Sequence, residues 1–274
     1  MARWLVAAIL LLTAAPALAA PQRVVSMNLC ADELVLQLAE RDHIRSVSYL
    51  ARDPAGSNVA ALAATVPVNH GLAEEILAAD PDLVLAGRYT SQATVALLKQ
   101  VGLRVVELDS PATLDAVRAQ IRAVAGLLGE VAKGEALVAD FDARLAAAVP
   151  APHPLKGLVL RPNGYTVGQG SLVDSVMTRA GLVNLGADPA LAPYRELPLE
   201  ALVLAKPDFI ILDEEESPRP ALAYDVLRHP VLRHLPYRMQ AIGLPSRLWT
   251  CAGPAVADAV AALATAARAM EAAP

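Results

Sequence analysis

The stretch Ala73 to Gly87, AEEILAADPDLVLAG, recurs later in the chain as Leu199 to Asp213, LEALVLAKPDFIILD. A shift of 126 places Glu74 on Glu200, Ile76 on Leu202, Pro81 on Pro207 and Asp82 on Asp208. Each copy follows one physical plan. An acidic residue opens a short helix, where the helix dipole favours negative charge. Apolar residues follow at helical spacing until a proline ends the helix. A continuous apolar run comes next, Leu83 to Ala86 or Phe209 to Leu212. Such a run suits a strand buried on both faces of a parallel sheet. Agreement in element order, proline and acid points to two similar lobes.

Outward from this repeat, strands and helices alternate. Arg23 to Met27 reads as a first strand, and Asn28 caps the helix that follows, with Asp32 and Glu33 in its first turn. Ile44 to Leu50 is a second strand, and Ala51 to Asn69 is mostly loop and short helix. Ser91 to Val101 is a helix and Arg104 to Leu108 a strand. Pro111 starts a helix with Leu114, Val117, Ile121, Val124 and Leu128 on one side. A second helical run, Glu130 to Val149, extends roughly 30 Å before a proline cluster stops it. In the second half, Gly157 to Leu160 is a strand, Ser171 to Ala180 a helix, Ala221 to Leu227 a helix and Arg238 to Gly243 the last strand. Pro254 opens an alanine-rich C-terminal helix. The alternation predicts an α/β fold: two lobes with mainly parallel sheets.

Composition narrows the function classes. The chain has 274 residues, 55% of them hydrophobic and 4% aromatic, with a net charge of -5. No basic stripe suggests nucleic acid. Residues 1–19 read as a signal peptide, with Arg3 in the charged region, Leu5 to Leu12 as the apolar core and Ala17-Leu18-Ala19 at the cut. No cysteine sits beside the cut to take a lipid, and no later segment is long enough to span a bilayer. An exported monomer without membrane insertion is expected. In an oxidising compartment Cys30 and Cys251 have three readings: a disulfide across a cleft, thiolate approaching a bound metal centre, or two unrelated buried thiols.

Ligands of open α/β sheets sit beyond the carboxyl ends of the strands. That rule selects Asn28 to Asp32, Tyr49 to Asp53, Arg88-Tyr89, the loop around Tyr165 and Gln169, and Ser246 to Cys251. Asn69-His70 lies near the same rim. Aromatic residues are scarce, yet Tyr49, Tyr89, Tyr165 and Trp249 all fall on these loops, where a ring either faces a ligand or covers core. Arg52, Arg88 and Arg247 offer bidentate contacts to carboxylates. His70 is either an axial ligand to a metal chelate or a hydrogen-bonding loop residue. Asp213 to Glu216 reads as a solvated acidic loop, and His229 and His234, split by Pro230, do not share a helix face. The sequence shows no histidine and carboxylate set for a bare zinc or manganese ion, so no metal site of the protein's own and no cofactor are expected. No G-x-S-x-G elbow, H-E-x-x-H, P-loop or GxGxxG motif is present. Ser171 follows Gly170 but has no base assigned by the sequence.

Four features together carry a resemblance: the opening RVVSMNLCADEL, the paired E-x6-P-D segments at Glu74 and Glu200, the mid-chain helix, and GYTVGQGSLVDSVMTRAGLVN at Gly164 to Asn184. Across essentially the whole mature chain, the sequence resembles the helical-backbone family of periplasmic binding proteins that serve ABC importers for cobalamin, iron siderophores and haem. The resemblance implies an N-terminal lobe at 20–128, a linking helix at 129–150, a C-terminal lobe at 151–274, and a ligand between the lobes with little closure. It implies a periplasmic protein, not an enzyme, that delivers a metal chelate or corrinoid to a permease dimer and its ATPase subunits. The cargo, rather than the protein, would supply any cobalt or iron. Neutral, flat-faced loops favour a cobalamin-like ligand, with siderophore or haem as the alternative. Glu74 and Glu200 would pair with permease arginines, unless they are only dipole-favoured helix openers. An exported enzyme or a sensor on the same fold is the other class.

Overall fold

The computed structural model describes residues 20–191, 196–214, 229–233 and 239–272, without the side chains of Asp213, Glu214 and Arg233. The expected signal peptide, the helix at 221–227, Arg238, His234 and the acidic side chains of 213–216 lie outside that description.

The first lobe is a five-stranded parallel sheet in the order β3-β2-β1-β4-β5. Its strands are β1 (Val24–Ser26), β2 (Ile44–Ser48), β3 (Val68–Asn69), β4 (Leu83–Gly87) and β5 (Val105–Leu108). The second lobe is a four-stranded parallel sheet in the order β7-β6-β8-β9. Its strands are β6 (Leu155–Leu160), β7 (Leu182–Asn184), β8 (Phe209–Glu214) and β9 (Gln240–Pro245). The repeated stretch supplies β4 and β8, and each is paired on both edges. All five residues of β4 are buried, as are Phe209, Ile210 and Ile211 of β8. Two parallel α/β lobes are thus what the alternation predicted. The reading missed β3 and β7. They are two and three residues long, too short to show a period.

The helices that matter here are α1 (Leu29–Leu38), α2 (Ala60–Ala63), α3 (Ala73–Ala78), α4 (Gln92–Gln100), α5 (Leu114–Leu128), α6 (Val131–Ala147), α7 (Leu172–Arg179), α8 (Leu199–Ala205), α9 (Arg247–Thr250) and α10 (Val256–Ala272). Helix α5 begins later than Pro111 suggested. Thr113 caps it by accepting a hydrogen bond from the Ala116 amide at 3.1 Å. Gly129, at φ 79°, ends it in the left-handed conformation and turns the chain into α6. Gly134 lets α6 lie close on α5, since a Cβ there would stand 2.4 Å from that of Ala125. On its other side α6 packs against α10, where Arg144 donates to both carboxylate oxygens of Asp258 at 3.1 Å. One apolar core runs without a break from β1 and β4 through α5 and α6 to β6, β8 and α10.

The repeat has a structural logic beyond its apolar run. The φ angles of Asp80 and Lys206, 46° and 47°, place equivalent positions of the two copies in the left-handed region. That region costs an ordinary residue about 1–2 kcal/mol. There the backbone reverses, and proline and aspartate follow. Asp82 accepts hydrogen bonds from the amides of Gln22 and Arg23 at 2.9 and 3.0 Å, while its own amide donates to the Arg23 carbonyl. Asp208 does the same to Lys156, accepting at 2.8 Å and donating at 2.9 Å. Each aspartate therefore clasps the start of the neighbouring strand, β1 or β6, and sets its register. We predict that Asp82→Ala lowers stability by about 1–2 kcal/mol, because two amides lose their acceptor. Urea unfolding measures this, and an unchanged midpoint would contradict the clasp.

Candidate ligand-binding cleft

The carboxyl ends of the two sheets face one another across a cleft of about 680 Å³. From the first lobe, Asn28 and Cys30 follow β1, Gly87 to Tyr89 follow β4, and Leu108 to Ala112 follow β5. From the second, Arg161 follows β6, Val167 and Gly170 to Val173 lead into α7, and Trp249, Thr250 and Ala252 belong to α9 and its exit. Thus Asn28, Cys30, Arg88, Tyr89 and Trp249 come together as the strand-end rule predicts. Tyr89 is 85% exposed and free to meet a ligand by its face. Arg88 lies 3.6 Å from Asp109, both well exposed. Trp249 forms wall rather than contact surface, because its ring is only 2% exposed and packs in the core.

The other candidates stand off this cleft. Tyr165 lines an adjoining cavity with Arg161 and Thr250. Gln169 is exposed on the loop beside the cleft without lining it. Arg52 is exposed but occupied, donating to the carbonyls of Ala63, at the end of α2, and Val66 beyond it. Tyr49 stacks on His70, ring centroids 5.2 Å apart, at the rim of the first lobe. His70 is further held by Glu75, which accepts from its backbone amide at 2.6 Å and lies 3.0 Å from its ring Nδ1. Those contacts hold the Glu75 carboxyl below its usual range, the backbone bond first and the ring next. His70 is thus engaged through its amide and its Nδ1. Arg247 donates to Asn58 at 3.2 Å, at the seam between the lobes.

That seam contains what the sequence did not disclose. Cys30 and Cys251 are joined by a disulfide with Cα atoms 5.0 Å apart. The bond excludes the thiolate and separate-thiol readings. It fastens the first turn of α1 to the exit of α9, so the floor of the cleft is covalent. Beside it, Asp32 and Glu33 are not solvated first-turn acids but buried ones, 0% and 1% exposed. Asp32 accepts from the Ser48 amide at 3.1 Å and its hydroxyl at 2.5 Å. Burial pushes its carboxyl up to about 6, against the lowering effect of the serine bonds. Glu33 Oε1 accepts from the Asn58 side chain at 2.8 Å, and Asn58 donates again to the Arg247 carbonyl at 2.6 Å. Glu33 Oε2 is buried with no hydrogen-bond partner, facing Gly253. Burial first, and then the Asp32 charge, push Glu33 up to about 7 despite the Asn58 bonds.

Both acids bind protons more tightly folded than unfolded. Their contribution to stability is full below their ordinary values, 3.8 and 4.5, and is lost as pH rises through about 6 and about 7. Glu33→Gln keeps the Asn58 acceptor and removes the titration. Its stability relative to the native chain should rise between pH 4.5 and 7, by up to about 3 kcal/mol at pH 8. Parallel denaturant titrations across that range measure the difference, and a flat difference would contradict the burial.

Among the described residues, no group of three or more His, Cys, Asp and Glu is gathered to hold a metal ion. No helix among them is long and apolar enough to cross a membrane. Glu74 and Glu200 are exposed in the first turns of α3 and α8, one on each lobe.

Comparison with known proteins accords with this geometry. A cobalamin-binding protein of Halobacterium salinarum is 29% identical over 201 residues, 70% of this chain and 53% of that protein. The chain thus spans about half the length of the curated relatives it matches. Its fold is shared with the periplasmic heme-binding protein RhuT from Roseiflexus sp. RS-1, with a TM-score of 0.71 at 24% identity over 91% of this chain and 98% of that one. The periplasmic vitamin B12 binding protein BtuF of Vibrio cholerae gives a TM-score of 0.65 at 19% identity over 92% and 99%. The family model described as periplasmic binding protein matches residues 24–237. With most of its length matched, two parallel lobes and a cleft at their strand ends, this chain belongs to the periplasmic binding protein family.

Proposed function

We propose that this chain captures a corrinoid in the periplasm and hands it to an ABC importer. The observation that carries the reading is the cleft itself. It is preformed between two sheets, floored by a disulfide, open at Tyr89 and lined without any cluster of metal-ligating side chains among the described residues. Such a site takes a metal already enclosed in its own ligands rather than a bare ion. The cobalamin-binding relative supports the corrinoid over other chelates. The cations lining the cleft are Arg88, offset by Asp109, and Arg161, fewer than a multiply anionic siderophore would want. Haem is the alternative cargo, supported by the fold of RhuT.

Binding without turnover is part of the proposal. Ser171, the one serine that suggested a nucleophile, caps α7. Its hydroxyl accepts from the Asp174 amide at 3.1 Å and donates to the Gly168 carbonyl at 2.9 Å. Delivery rests on Glu74 and Glu200. They occupy equivalent places in the two copies of the repeat, exposed on α3 and α8, and would pair with arginines on the two permease subunits.

Trp249 reports on the cleft from within its wall, and it is the only tryptophan outside residues 1–19. Cyanocobalamin should quench its fluorescence saturably at one equivalent and be recovered unchanged. Quenching by haemin or a ferric siderophore alone would reassign the cargo, and chemical conversion of any of them would favour an enzyme. Glu74→Arg with Glu200→Arg should leave that titration unchanged while abolishing corrinoid uptake by cells that depend on this chain. Undiminished uptake would remove the docking role and favour a sensor.

A further inference from the structure

The bond that floors the cleft has two unlike ends. Cys30 is half-buried and lines the cleft from the first turn of α1. Cys251, at the exit of α9, is only 2% exposed. A small thiolate entering the open cleft therefore meets one sulfur and not the other. Thiol–disulfide exchange proceeds by such an attack, and its rate depends on access to the attacked sulfur and on how readily the other leaves. The leaving group here is a buried thiolate, and burial disfavours its charge. Its departure needs a proton close by.

Glu33 is placed to give one. It follows Cys30 by three residues on α1, the spacing that sets two side chains on one helix face. Its Oε2 is buried without a hydrogen-bond partner, and a Cβ built on Gly253 would stand 3.2 Å from it. Gly253 in turn donates its amide to the Cys251 carbonyl at 2.9 Å. The carboxyl thus lies against the turn that carries Cys251, while its other oxygen is taken by Asn58. The charged groups around Glu33 are Asp32, beside it on α1, and Arg247 of α9, which reaches Asn58. Asn58 and Gly253 bring no charge. Burial pushes the Glu33 carboxyl up to about 7, so it carries a proton in acidic to neutral surroundings.

We infer that Cys30–Cys251 is a reducible latch between the lobes, opened by a small thiol that enters the empty cleft and shielded when cargo is bound. The thiolate attacks Cys30 Sγ, the S–S bond breaks, and the electron pair leaves on Cys251 Sγ, which takes the Glu33 proton. A second thiolate attacks the outer sulfur of the mixed disulfide and frees Cys30. Two small thiols become one disulfide, the protein gains two thiols, and Cys30 and Glu33 take their protons from solvent. With the latch open, the cleft is less preorganised and its affinity falls. The shielding rests on the corrinoid reading of the cleft, whereas the attack at Cys30 does not.

Reduction of the full chain by glutathione, followed by alkylation and peptide mapping, tests the latch. The first adduct should sit on Cys30, and the rate should stay flat at low urea, because attack through the cleft needs no unfolding. An adduct on Cys251, or a rate that climbs from the first addition of urea, would overturn the latch. The reduced chain should bind cyanocobalamin about tenfold more weakly and recover on reoxidation, the size of a modest loss of preorganisation. Unchanged affinity would overturn the latch as well. Saturating cyanocobalamin should slow reduction about tenfold or more. Undiminished reduction of the loaded chain would overturn the shielding. Failure to bind cyanocobalamin at all would overturn the cargo reading and leave the mapping and the urea series to decide the latch. The ratio of native to Glu33→Gln rates cancels the titration of glutathione itself. It should be about tenfold or more on the acid side of about 7 and fall as pH rises through that value. A ratio that stays flat would remove Glu33 as the proton source.

Discussion

A covalent bond between residues 221 positions apart holds the floor of this molecule together. Closing so long a loop removes about 5 kcal/mol of chain entropy from the unfolded state on the entropic account of disulfides. Its more telling effect is on the folded state. Cys30 opens α1 in one lobe and Cys251 leaves α9 in the other, so neither lobe can swing away at that point. The Glu33–Asn58–Arg247 network lies beside the bond and crosses the same seam. At the far side α6 connects the lobes within one continuous core, and the Arg144–Asp258 pair fixes it to α10. The cleft between these two ties is therefore preformed, and the strand ends that line it hold their places in the absence of ligand.

The internal repeat explains how two such lobes face one another. In each copy a short helix ends in a left-handed residue, a proline turns the chain, and an aspartate clasps the next strand before the apolar run enters the sheet. The outcome is a central strand, β4 or β8, whose carboxyl end points at the cleft. The same copy leaves its leading glutamate on the outside. One sequence unit thus serves the core, the cleft and the outer surface of each lobe.

Much of this was legible because it depends on local pattern. The apolar runs Leu83 to Ala86 and Phe209 to Leu212 suit a buried parallel strand, and the apolar spacing after Glu130 marks α6, which ends at Ala147, shortly before the proline cluster that was expected to stop it. What stayed hidden depends on partners distant in sequence. Cys30 and Cys251 carry no sign of their proximity. Asp32 and Glu33 look like ordinary first-turn acids until Ser48 and Asn58 are placed against them. Arg52 and Arg247 look like ligand-facing cations until carbonyls and an amide at the end of α2 and on the seam take them up. Trp249 lines the cleft yet is almost wholly buried, because loop position says nothing of which way an indole faces. Arg161 read only as part of the polar loop after β6, and its place in the cleft lining shows only once the lobes are set together.

The central claim is that a corrinoid is held at the carboxyl ends of both sheets, between the two ties. Hydrogen–deuterium exchange with and without cyanocobalamin tests it most directly. The account predicts slower exchange in the loops that line the cleft from both lobes, at Asn28 to Cys30, Gly87 to Tyr89, Leu108 to Ala112 and Thr250 to Ala252. Exchange should be unchanged around the separate hollow lined by Pro150, Pro152, Arg179 and Gly181, which lies behind the linking helix's exit. Protection confined to that hollow, or to one lobe alone, would contradict the account.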